Sequence, residues 1–323
     1  MTQISSNIDS AKEILESGEL VAIPTETVYG LAANAFSENA VKKIFALKNR
    51  PSFNPLIVHI ASISQLETVA INVPPLALKL AETFWPGPLT LLLEKNSTVP
   101  NAVTAGNTTV AVRVPNHSLT LELLKQLSFP VAAPSANPYM SISPTKPEHV
   151  KKYFDGKLKF ILDGGACQEG IESTIIGFKN EQAVLFREGS CAISEIEKIT
   201  GTLLLADADS AKPEAPGMMK RHYAPNTPLI LTSNYEKVLQ KNAHKNVGIL
   251  TFTNLGTTSN TVIYKYLSQS ESLKEAASNL YATLIDMDSL GLDLIIAVYM
   301  PNKGIGKTIN DRLERASAVA NEC

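Results

Sequence analysis

The chain has 323 residues, 44% hydrophobic and 19% charged, a balance that excludes a disordered chain and a length that favours two domains over one. Lys and Arg number 29 against 31 Asp and Glu, and the net charge of -2 argues against a generally basic nucleic-acid binder while leaving room for local positive pockets. Cys167, Cys191 and Cys323 are scattered and form no CxxC pair, so no disulfide framework or thiolate zinc site is indicated; with no apolar run of membrane-spanning length, a cytoplasmic protein is expected.

From Leu20 to Gly201 short apolar runs alternate with helical patterns, which predicts an α/β domain. Leu20–Ile23 reads as a strand. Pro24-Thr25-Glu26-Thr27-Val28-Tyr29-Gly30 gathers hydroxyls and a carboxylate at its end, either as a ligand site or as a turn in which Thr and Glu cap a helix. In the helix predicted over Glu38–Lys48, Val41, Ile44, Phe45 and Lys48 share one face, so the Lys48 ammonium is aimed at the core or a cleft. Pro51 biases Arg50 toward extended backbone; the closely spaced cations Lys48 and Arg50 suit a polyphosphate as well as they suit the helix dipole.

The strand Leu56–Ile60 turns Leu56, Val58 and Ile60 to one face and Ile57 and His59 to the other. Val110–Val114 repeats the pattern, its valines opposed to Ala111 and Arg113. An arginine on a central strand needs an anion, either an internal carboxylate or that of a substrate. After a helix at Leu119–Leu127, the apolar run Pro130–Ala133 leads into Pro134-Ser135-Ala136-Asn137-Pro138 and Ser141–Thr145. These are stiff hydroxyl-bearing loops that suit phosphate or ribose oxygens, or simply turns.

Phe160–Leu162, Ser173–Phe178 and Ala183–Arg187 read as further strands, the last two joined too tightly for a helical crossover, so a mixed, twisted sheet is expected. Arg187 is open to a ligand or to a surface ion pair with Glu188. The Pro-rich, basic segment 206–228 reads as a linker between a first domain at 1–205 and a second at 229–323. There, Leu229–Thr232, Val247–Thr251, Val262–Tyr266 and Leu294–Tyr299 with a helix over Ser272–Met287 predict a small, parallel, Rossmann-like sheet. Gly304-Ile305-Gly306-Lys307-Thr308 mimics the end of a P-loop, but Pro301 stands where the first glycine is required, so a helix-starting loop is expected.

In chain order, PTETVYGL at 24–31, KNRP at 48–51, NPLIVHI at 54–60, WPGPLTL at 85–91, AVRVP at 111–115, PSAN at 134–137, SPT at 143–145, DGG at 163–165, GIESTI at 170–175 and REG at 187–189 resemble the YrdC-like family. PGMMKRHYAP at 216–225 and GIGKTINDRLERA at 304–316 resemble the linker and terminal signature of its two-domain long form, the threonylcarbamoyl-AMP synthases. Many relatives carry a glycine near Met140.

The resemblance implies a YrdC-like domain with an open cleft that joins L-threonine, bicarbonate and ATP, with Mg2+, into threonylcarbamoyl-AMP, the first step of a tRNA modification beside the anticodon. It implies that Thr27, His59, Arg113, Ser173 and the backbone of Ala133 hold L-threonine. Arg50, Asn54, Thr109, Ser135, Ser143 and Arg187 are expected on ATP, Lys48 and Asn137 complete a KxR…SxN signature, and Lys48 and Arg50 stabilise charge. Tyr223 is expected to close over the nucleotide, with Lys220–Pro225 as a lid. Neither a nucleophilic residue nor a protein-held metal is expected. The implied partners are a downstream tRNA threonylcarbamoyl-transferase machinery and a weak tRNA contact, with no membrane.

Overall fold

The computed structural model describes residues 1–206, 215–216, 221–255 and 262–318. Much of the expected linker 206–228, the Lys220 end of the expected lid, and Cys323 lie outside the described residues. The chain divides into two compact units, one of Met1–Tyr139, Pro144–Gln168 and Glu172–Met218, the other of Met140–Ser143, Glu169–Ile171 and Met219–Cys323.

The strands of the first unit are β1 (Gln3–Ser5), β2 (Val21–Ile23), β3 (Gly30–Asn34), β4 (Ile57–His59), β5 (Leu89–Glu94), β6 (Thr109–Arg113), β7 (Val131–Ala132), β8 (Phe160–Leu162), β9 (Thr174–Lys179), β10 (Gln182–Arg187) and β11 (Leu204–Leu205). They form one 11-stranded sheet in the order β1-β8-β2-β3-β7-β4-β6-β5-β9-β10-β11. It is mixed as expected: β4–β6 and β5–β9 are parallel, while β2–β3, β5–β6 and β9–β10 are antiparallel. Side-chain alternation assigns the faces. Val110 and Val112 join Val58, Leu91 and Ile176 in the main core, whereas Ala111 joins Ile57, Leu92 and Ile175 on the other side. Each fully buried aliphatic side chain contributes about 1.5–3 kcal/mol.

The PTETVY segment caps no helix. It is the loop of a β2–β3 hairpin in which Ile23 lies opposite Gly30. Thr25 Oγ1 accepts from the backbone N–H of Thr27 and Val28 at 3.2 and 3.1 Å, and such local side-chain bonds compete with helix formation. β5, between β6 and β9, is a strand that the alternation of polar and apolar residues did not single out, because LTLLLE is buried on both faces as far as Leu93.

In the second unit β12 (Leu229–Thr232), β13 (Val247–Thr251), β14 (Val262–Tyr266) and β15 (Leu294–Val298) form a parallel sheet in the order β12-β15-β13-β14. Val247, Ile249, Leu294 and Ile296 make its core. The helix Leu273–Met287 is N-capped by Ser272, whose side chain accepts from Glu275 N–H. Gly304 caps the helix Ile305–Ser317, the helix-starting loop expected in place of a P-loop. A Cβ on Gly306 would lie 2.0 Å from the Pro301 carbonyl, so that glycine serves the tight return of the backbone. Among the described residues no helix is long and apolar enough to cross a membrane.

Candidate active site

One face of the first sheet carries two adjoining rows of side chains. Ile57, Leu92, Ala111 and Ile175 form an apolar row covered by Ala215 and Phe186. Two residues away on the same strands, and therefore on the same face, stand His59, Thr90 and Arg113, and Ser173, just before β9, joins them through Thr90. His59 pairs with Arg113 across β4 and β6, and the Leu91–Val112 pair puts Thr90 beside Arg113. Thr90 and Ser173 share a hydroxyl hydrogen bond of 2.7 Å. All four are buried.

The question the sequence left open about Arg113 has an internal answer: Nη2 donates to Glu26 Oε2 and Nη1 to Thr27 Oγ1 at 3.0 Å. The Glu26 oxygen also accepts from Asn116 N–H at 3.0 Å. Arg113 Nε, Glu26 Oε1 and His59 Nδ1 are buried without a hydrogen-bond partner. Native interiors rarely leave such atoms unpaired, so a ligand here would find polar groups, the Arg113 Nε–H donor among them, already desolvated. The Ala133 N–H is taken by Ile57 O at 2.9 Å, so a contact from Ala133 would use its carbonyl.

Burial, and after it the Arg113 charge, pushes the His59 imidazole down to about 3, against an opposing backbone hydrogen bond at Ile57. The unfolded chain, with a value near 6.5, therefore binds this proton first, so the His59 contribution is fully present above about pH 6.5 and is lost as pH falls toward 3. We expect unfolding free energies from urea titration to fall less between pH 7 and pH 5 in His59→Gln than in the parent, by about 2 kcal/mol. Equal falls would show that His59 does not ionise on unfolding.

The second cluster joins KNRP to PSAN. Ser37 caps the helix Glu38–Lys48, and at its end Asn49 is left-handed (φ 51°), Asn49 N–H reaching Ala46 O and Arg50 N–H reaching Phe45 O. This closure leaves Lys48 on the buried face, 1% exposed, its ammonium donating to the carbonyls of Ser135 and Asn137. Burial and then the Arg50 charge hold Lys48 well below the usual lysine range, while the two carbonyls favour the charged form. Tyr139 N–H in turn bonds Lys48 O at 2.8 Å.

Arg50 donates to the carbonyls of Asn54 and Pro55 and lies 6.0 Å from the Tyr139 ring centre. Lys48 thus ties the PSAN loop down, a contact that residue order, which left both cations open to a polyphosphate or to the helix dipole, did not contain. The Asn54 amide is buried with neither atom partnered. Thr109 begins β6 on the Arg113 face.

Arg187 is buried and donates to Ser173 O at 2.8 and 3.1 Å, to Ser173 Oγ and to Pro216 O. Gly189 packs so closely that a Cβ would lie 2.3 Å from the Ser173 carbonyl carbon. Ser143 and Tyr223 belong to the second unit. There the Tyr223 ring stacks on Tyr281 at 5.5 Å, with the Arg312 guanidinium 4.9 Å above it. Met140 has φ 69°, in the left-handed region that glycine adopts freely. Glu26, Thr90 and Asn116 are site residues that the motifs alone did not assign. The signal for Thr90 is a lone hydroxyl within an apolar run.

Residues 13–189 match the family model described as telomere recombination, the Sua5/YciO/YrdC family, and residues 191–318 match that of the threonylcarbamoyl-AMP synthase C-terminal domain. The chain is 43% identical to a threonylcarbamoyl-AMP synthase of Pyrococcus abyssi over 95% of this chain and 93% of the relative. It is 40% identical to one of Bacillus subtilis over 98% and 95%. A crystal structure of P. abyssi Sua5 with L-threonine superposes with a TM-score of 0.91 at 41% identity, covering 98% of both chains.

Proposed function

The chain belongs to the Sua5/YciO/YrdC family in its two-domain long form, and we propose that it makes threonylcarbamoyl-AMP from L-threonine, bicarbonate or CO2, and ATP at the two clusters of the first unit. The observation that carries the reading is the buried polar row of His59, Thr90, Arg113 and Ser173, with Arg113 Nε and His59 Nδ1 unpartnered, in a chain that matches a threonine-bound relative throughout.

In this reading the threonine carboxylate meets Arg113, whose planar donors match it, and Thr27, His59, Ser173 and the Ala133 carbonyl complete its seat. The amine takes up CO2 as a carbamate, whose oxygen attacks the α-phosphorus of ATP, and pyrophosphate leaves. Nothing in this sequence needs a covalent enzyme intermediate; positioning and charge stabilisation suffice. Arg50, Asn54, Thr109, Ser135, Asn137 and Arg187 are proposed to receive the nucleotide, on a loop that Lys48 holds in place. Mg2+ is proposed as the companion of ATP, supplying charge neutralisation on the phosphates. Such an Mg2+ ion keeps phosphate oxygens and water in its shell.

A downstream transferase that passes the labile product to tRNA, and a cytoplasmic location, belong to the same proposal. The reading is tested by pyrophosphate release from ATP and Mg2+ by the full chain, with L-threonine or bicarbonate omitted in turn. Release should require both. ATP-only release, or none, would overturn it.

A further inference from the structure

Glu26 touches no substrate in the reading above, yet it is 4% exposed and spends its charge on the residue central to the site. Its Oε2 holds Arg113 Nη2 and also accepts from Asn116 N–H, so the carboxylate is anchored to the backbone just beyond the strand that carries Arg113. From the same hairpin loop Thr27 Oγ1 takes Nη1. Thr27 is itself held by Thr25 Oγ1 at 2.8 Å, and Thr25 lies 2.6 Å from Val28 O.

An ion pair built for stability alone would use both carboxylate oxygens against two guanidinium nitrogens. Here only one oxygen is engaged, and Glu26 Oε1 and Arg113 Nε are both left buried and unpartnered.

We propose that Glu26 is a positioning residue for amino-acid recognition: with Thr27 it holds two guanidinium nitrogens of Arg113 in place, so that the Nε–H edge stays presented to the substrate carboxylate. The inference rests on the reading of Arg113 as the carboxylate ligand. Glu26 selects for that carboxylate without touching it, by denying the guanidinium other orientations.

The test uses pyrophosphate-release kinetics of the full chain with L-threonine and ATP varied separately. Glu26→Ala is expected to raise the KM for L-threonine about tenfold, with kcat and the ATP KM within about twofold of the parent. Glu26→Gln, which keeps the acceptor oxygen, should return the threonine KM to within about threefold.

A parent-like KM in Glu26→Ala overturns the proposal, and so does an equal change in the Ala and Gln variants, since charge and not placement would then be what matters. If Glu26→Ala does not fold, Glu26→Asp replaces it; its shorter reach should raise the threonine KM similarly, and a parent-like value overturns the proposal. Glu26→Ala combined with Arg113→Ala should be no worse for threonine than Arg113→Ala alone. A large Arg113→Ala effect beside a silent Glu26→Ala removes only the Glu26 role, whereas a silent Arg113→Ala removes the Arg113 reading and this inference with it.

Discussion

Arg113→Ala should raise the KM for L-threonine about 100-fold, equivalent to about 2.7 kcal/mol of lost binding, with the KM for ATP changed by less than about threefold. The size follows from what is removed: a buried, planar, permanently charged donor set whose Nε has no internal partner. The same substitution leaves the Glu26 carboxylate buried without its cation, a change that destabilises by about 3–5 kcal/mol. The two effects are separable. Arg113→Lys keeps a positive charge for Glu26 and should recover much of the melting temperature, but a point charge cannot reproduce the guanidinium fork, so the threonine KM should stay high. A lysine variant with parent kinetics would show that charge alone, without geometry, holds the substrate.

The second large effect is expected at Lys48. Lys48→Met keeps the bulk of the stem on the buried helix face but removes both charge-assisted hydrogen bonds to Ser135 O and Asn137 O. One buried and one partly buried carbonyl then lose their donor, for a stability loss of about 2–3 kcal/mol. The PSAN loop loses its tie to the KNRP segment, so kcat/KM for ATP should fall about 100-fold or more, while the rise in melting temperature on adding L-threonine persists. Loss of the threonine effect together with the ATP effect would mean that Lys48 supports the whole site and not the nucleotide half.

Much of this arrangement is legible in the chain because its causes are local. The alternation in Val110–Val114 sets Arg113 opposite a row of valines, and Val41, Ile44 and Lys48 recur at helical spacing, so the buried faces of both elements follow from residue order alone. The second unit is likewise readable from four apolar runs and a capped helix, down to the refusal of Gly304–Thr308 to be a P-loop.

What residue order could not decide is which distant groups meet. β5 is apolar on both faces and carries no alternation to mark its place beside β6. The PTETVY loop reads equally as a helix cap until β2 and β3 pair across it, and that pairing is what brings Glu26 and Thr27 to Arg113, 87 and 86 positions along the chain. Lys48 likewise finds its acceptors only because β7 lies between β3 and β4 and delivers the PSAN loop to the end of its helix. Residue order therefore determined the elements, their buried faces and the groups with the chemistry; the tertiary structure decided the partners, because a hydrogen bond depends on separation in space, which sheet order sets and local periodicity does not contain.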